Sequence, residues 1–116
     1  MSLHYDSDVG MGLTHRVEHT PDSVWVRLSG EVDLAVADDL QHWLVAAIPA
    51  EPIHTMHVDF HDVTFLDSTG IRAMVLAQRA AQERGVTMRL SGAHGRVESA
   101  LRITGVYELL TAPEAK

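Results

Sequence analysis

Residues 56–85 read MHVDFHDVTFLDSTGIRAMVLAQRAAQERG, and within them the hydrophobic period changes once. Met56, Val58 and Phe60 alternate with His57 and Asp59, the two-residue period of a half-buried strand. From about Thr69 the apolar residues fall at helical spacing as far as Arg84, and Gly85 offers a left-handed end. A strand that feeds a helix through Asp67-Ser68 is the building unit of an α/β fold.

The unit recurs on both sides. Upstream, Leu13, His15 and Val17 alternate with Thr14, Arg16 and Glu18, and Val24, Val26 and Leu28 do the same after the turn Thr20-Pro21-Asp22-Ser23. Two such runs across a Pro-Asp turn predict a hairpin. Gly30-Glu31-Val32-Asp33 then breaks the period, with Asp33 placed to cap a helix carrying Ala37, Leu40, Leu44, Ala47 and Ile48. Pro49 and Pro52 stop that helix. Downstream, Val86, Met88 and Leu90 read as a strand, Gly95 to Thr104 as a helix closed by Gly105, and Val106 to Leu110 as a short closing strand. The predicted architecture is one α/β domain over residues 13–111. It has a mixed, mostly parallel sheet of four to five strands with an N-terminal hairpin, packed by three or four helices. Residues 1–12 read as a flexible lead-in and 112–116 as a tail.

Composition narrows the function classes. The 116 residues carry 9 Lys+Arg against 16 Asp+Glu, a net charge of −7, which opposes a phosphate-tracking nucleic-acid partner. The absence of cysteine removes thiolate metal sites and cysteine catalysis, and fits a reducing compartment. The longest apolar run, Trp43 to Ala50, is far below a membrane span, and the first residues lack a secretory signal, so a cytoplasmic protein without membrane insertion is expected. His54, His57 and His61 lie on and around one strand, and His15 and His19 share a strand face. Neither set has the spacing of a metal centre, so no metal or cofactor is expected and the histidines read as polar residues of a half-exposed sheet. Trp25 and Trp43 read as packing residues.

The chemistry concentrates in Val63-Thr64-Phe65-Leu66-Asp67-Ser68-Thr69-Gly70-Ile71, between strand and helix. Asp67 or Ser68 can cap the helix, beside unpaired amides and the positive end of its dipole. Three readings of the block compete: a helix cap and nothing more, a serine nucleophile, and a phosphoacceptor on an interaction surface. The hydrolase reading fits worst, because Leu66 replaces the first glycine of Gly-x-Ser-x-Gly and the chain is too short for that fold.

Three motifs in order resemble the STAS domain of anti-sigma-factor antagonists. They are Gly30-Glu31-Val32-Asp33, the block from Phe65 to Ile71, and Val97-Glu98-Ser99-Ala100-Leu101-Arg102-Ile103-Thr104-Gly105-Val106. The resemblance runs from about Leu13 to about Leu110. It implies a binding protein and not an enzyme, whose unphosphorylated form binds an anti-sigma factor serine kinase and so releases a sigma factor. Carried over, Ser68 is the phosphoacceptor, Thr69 the alternative, and Asp33, Asp67 and Gly70 surround the site. A metal-dependent serine phosphatase would reverse the modification. The other reading of the same fold is a scaffold or accessory subunit of a stress-signalling or lipid-transport complex. A monomer or weak dimer is expected.

Projected at helical spacing, Gly70, Met74, Ala77 and Ala81 should bury against the sheet. Ile71, Arg72, Val75, Leu76 and Arg79 then form a candidate partner-binding face, an aliphatic and arginine mixture next to Ser68. The competing reading is that Val75 and Leu76 simply complete a buried helix.

Overall fold

The computed structural model describes residues 12–49 and 54–111, together with the backbone of residues 4–8. The strands are β1 (His4–Asp8), β2 (Leu13–His19), β3 (Ser23–Val32), β4 (Thr55–Leu66) and β5 (Thr87–Ser91). The helices are α1 (Ala37–Ala47), α2 (Ser68–Glu83), α3 (Gly95–Ile103) and α4 (Tyr107–Thr111). The strands lie side by side in chain order, with β1, β2 and β3 antiparallel and β3, β4 and β5 parallel. A sheet that grows in one direction through right-handed crossovers must place its crossover helices on the same face. Accordingly α1 and α2 pack against each other over one side, and the molecule measures only 21 Å across its thinnest axis.

Alternation decides which face is covered. Val24, Val26 and Leu28 of β3 and Met56, Val58 and Phe60 of β4 are buried, together with Met88 and Leu90 of β5. Their alternate neighbours face away from the helices and satisfy one another instead. Trp25 stacks on His57 with ring centroids 4.2 Å apart, and Arg27 reaches Asp59 at 2.9 Å and Glu18 at 3.3 Å. That polar network lets this face of the sheet go without a helix.

Several expectations are corrected. The lead-in contains a strand, since His4–Asp8 pair with β2; the rest of residues 1–11, Pro52 and the tail 112–116 lie outside the described residues. β4 runs six residues beyond Phe60. Its register against β3 slips between Arg27 and Ser29 and again between Gly30 and Glu31, and each slip resets the alternation on which the sequence reading depends. Val106 to Leu110 contribute to a helix and not to a strand. Leu110 is 1% exposed, its amide bonds the Val106 carbonyl at 3.0 Å, and the buried Gln78 side chain donates to the Leu109 carbonyl at 2.8 Å. Five residues are too few to separate the two periods, and packing on α2 chooses the helix. Finally, His15 is buried on the covered face instead of half-exposed.

Candidate functional site at the paired ends of β3 and β4

The parallel pairing sets Glu31 opposite Phe65 and Val32 opposite Leu66, so both strands end at the same level. Each is followed by an aspartate. The Asp67 amide donates to the Val32 carbonyl at 3.2 Å, which ties the two exits together. At Gly30 the backbone has φ +118°, and a Cβ there would run into the Gly12 carbonyl, so the first motif needs glycine for conformation and for space.

Asp67 caps α2. One carboxylate oxygen accepts from the amides of Thr69 at 3.0 Å and Gly70 at 3.1 Å, and from the Thr69 hydroxyl at 2.5 Å. Burial pushes its pKa up. Hydrogen bonds from the Thr69 hydroxyl and from the Gly70, Thr69 and Leu34 amides outweigh burial and hold the carboxyl below its ordinary value. Ser68 is the first residue of α2 and is exposed, with no hydrogen-bond partner for its hydroxyl among the described residues. Thr69 is half-buried with its hydroxyl committed to Asp67. Gly70 is buried, and a Cβ there would collide with Val32 and Leu66, so glycine lets the first turn of α2 sit directly on the strand ends.

Asp33 does a different job from the one expected. Its carboxylate accepts from the Ala35 amide at 3.0 Å and its carbonyl from the Val36 amide at 3.1 Å, which makes a turn. α1 begins four residues later at Ala37, and its N-cap, Val36, makes no side-chain cap bond. The turn leaves Leu34 74% exposed while its amide still reaches Asp67. Phe65, two residues before Asp67, is 36% exposed. The sequence reading passes over Leu34 and gives Phe65 only as part of a motif. The available signal is that Leu34 lies off the stripe of Ala37, Leu40 and Leu44 that α1 buries.

The candidate partner face divides. Arg72 and Arg79 are exposed and Val75 and Leu76 half-buried, but Ile71 is 7% exposed and belongs to the core. The reason is the width of the buried stripe: α2 packs on α1 along one side and on β5 and α4 along the other, so Ile71, Ala73 and Gln78 are covered as well. Among the described residues no group of three or more histidines and carboxylates could hold a metal ion, and no helix is long and apolar enough to cross a membrane.

Ser68 thus presents an exposed side chain at a helix start beside the ionised Asp67 cap, a position open to a visiting protein. Comparisons with known proteins identify what the chain is similar to. An anti-sigma-B factor antagonist of Staphylococcus epidermidis is 28% identical over 89 residues, covering 77% of this chain and 82% of the relative. The anti-sigma-B factor antagonist of Bacillus subtilis is 25% identical over 100 residues, covering 86% and 90%. The crystal structure of an anti-sigma factor antagonist from Mycobacterium paratuberculosis superposes with a TM-score of 0.73 at 22% identity, covering 86% of this chain and 83% of that one. The STAS domain family profile matches residues 15–114, and with motifs, topology and site in agreement, the chain belongs to the STAS domain family.

Proposed function

We propose that this chain is an anti-sigma-factor antagonist switched by phosphorylation of Ser68. Its unphosphorylated form binds an anti-sigma factor serine kinase in the cytoplasm through the surface around Ser68, and a sigma factor is thereby released. The kinase transfers the terminal phosphoryl group of ATP to the Ser68 oxygen, the hydroxyl proton leaves to a base of the kinase, and ADP departs. A metal-dependent serine phosphatase returns the hydroxyl and inorganic phosphate. The observation that carries this reading is the exposure of Ser68 at the first turn of α2, directly after the Asp67 cap.

The charge arithmetic supports a switch at the contact and not in the fold. Phosphorylation adds about −1.5 to −2 charge, which the positive end of α2 accommodates. Against an acidic group of the partner ~4 Å away, one unit of that charge costs about 4 kcal/mol at an effective dielectric near 20. Since about 1.4 kcal/mol is tenfold, this corresponds to about a thousandfold loss of affinity. Arg72 and Arg79 are the exposed cations of the α2 face that would meet such acidic groups before modification.

Incubation with the cognate anti-sigma kinase and ATP, followed by intact mass, should show one added phosphate that disappears in Ser68→Ala. Wild-type protein that takes no phosphate but assembles stably into a larger complex would overturn the switch in favour of an accessory subunit.

A further inference from the structure

The first turn of α2 has few donors left for an anion. The amides of Thr69 and Gly70 donate to the Asp67 carboxylate at 3.0 and 3.1 Å, and the Ile71 amide donates to the Asp67 carbonyl at 3.0 Å. The Thr69 hydroxyl is taken by the same carboxylate. A phosphate on Ser68 would feel the positive end of the helix dipole, but the three amides that follow it are committed and its chain neighbour is an ionised carboxylate. A dianion placed there must draw its close counter-charge from a side chain.

Arg72 meets that need. It is the sole cation in the sequence from Ser68 to Gln78. Because α2 runs unbroken from Ser68 to Glu83, Arg72 stands four residues after Ser68, about 6 Å along the axis and about 40° around it. Side chains at this spacing are neighbours, and the anion lies on the N-terminal side, which is the better order for a helical pair. Helical side chains also lean toward the N-terminus, which brings the turn carrying Ser68 within reach of Arg72.

Arg72 is uncommitted before modification. Both it and Ser68 are exposed, and Arg72 makes no ion pair or hydrogen bond among the described residues. The groups that hold Asp67 ionised are a hydroxyl and amides, with no guanidinium among them. A planar guanidinium can donate to two phosphate oxygens at once. Arg79 is the internal contrast: it is exposed on nearly the same side of α2 but about 16 Å from Ser68 along the axis.

We propose that Arg72 clamps the phosphate of Ser68 across the first turn of α2, so that modification withdraws this arginine from the partner face as well as adding negative charge. The inference rests on Ser68 as the phosphoacceptor and names the residue of this chain that receives the phosphate.

The test installs phosphoserine at position 68 of the full chain during synthesis, so that no kinase is needed. Phosphorus NMR then follows the second ionisation of the phosphate in about 0.1 M salt, where charges more than about 10 Å apart are largely screened. A nearby guanidinium favours the dianion. The second acid dissociation constant should be about twofold or more larger in the wild-type background than in Arg72→Gln, and Arg79→Gln should match the wild type. Asp33 and Asp67 are common to all three proteins and cancel. Gln is nearly as good a helix former as Arg, so unmodified Arg72→Gln should melt like the wild type, which separates loss of the clamp from loss of the helix. Equal dissociation constants in the wild type and Arg72→Gln overturn the clamp, and so does an equal fall in both variants, which would mark a long-range charge effect. Either result leaves the switch at Ser68 standing, whereas failure of a kinase to modify Ser68 removes the switch and leaves the measured pairing intact.

Discussion

Two helices start from neighbouring strand ends, and each is preceded by an apolar residue and an aspartate: Val32-Asp33 before α1 and Leu66-Asp67 before α2. Asp67 accepts the amides of the first turn, and α2 begins at once with Ser68. Asp33 closes a turn of its own, and α1 begins at Ala37 without a side-chain cap. The same two-residue signal therefore yields a rigid start in one place and a protruding loop in the other. The capped start holds the turn that carries Ser68, and the loop leaves Leu34 exposed with its amide on the Asp67 carboxylate. Under the proposed function, the first start supplies the group to be modified and the second a side chain to be touched.

The largest way to break this contrast is at Gly70. Gly70→Val would drive a branched side chain into Val32 and Leu66 and push α2 off the strand ends. The expected cost is about 3 kcal/mol or more, read as a drop in the urea midpoint. Leu34→Asp attacks the other half. Kinase binding should weaken by at least about tenfold, measured by calorimetry, with stability within about 0.5 kcal/mol of wild type. A fall in stability of the size seen at Gly70 would instead place Leu34 in the core.

The aspartates themselves come next. Asp67→Ala should cost about 1 kcal/mol for the lost cap, and Asp33→Ala a few tenths, since it removes a turn bond in an exposed loop. Equal losses would show that the two starts are alike after all. The smallest expected effect is on pH dependence. The folded carboxyl of Asp67 titrates below its unfolded value, so its contribution is complete above the ordinary carboxylate range and is lost as pH falls through the folded value. Urea midpoints of wild type should therefore fall more steeply on acidification than those of Asp67→Asn.

The sequence carried the element order from β2 to α3 well, because runs such as Val24-Trp25-Val26 and the stripe of α2 are long enough to declare their period. It did not carry the register slips that lengthen β4 to Leu66, which depend on pairing with β3 and leave no local signature. The helix at Tyr107–Thr111 was equally hidden, since Leu110 and the Gln78 bond belong to packing against α2. At the site, Asp67, Ser68 and Gly70 could be read from one short block. Leu34 and the burial of Ile71 could not, because each depends on where a neighbouring element lies: the Asp33 turn for one, α1 and β5 for the other.

The most direct measurement is the affinity of the cognate anti-sigma kinase for two preparations of this chain, one unmodified and one stoichiometrically phosphorylated at Ser68, both checked by thermal melting. The account predicts about a thousandfold weaker binding of the phosphorylated form with nearly the same melting temperature. Equal affinities, or a loss of binding that tracks unfolding of α2, would contradict it.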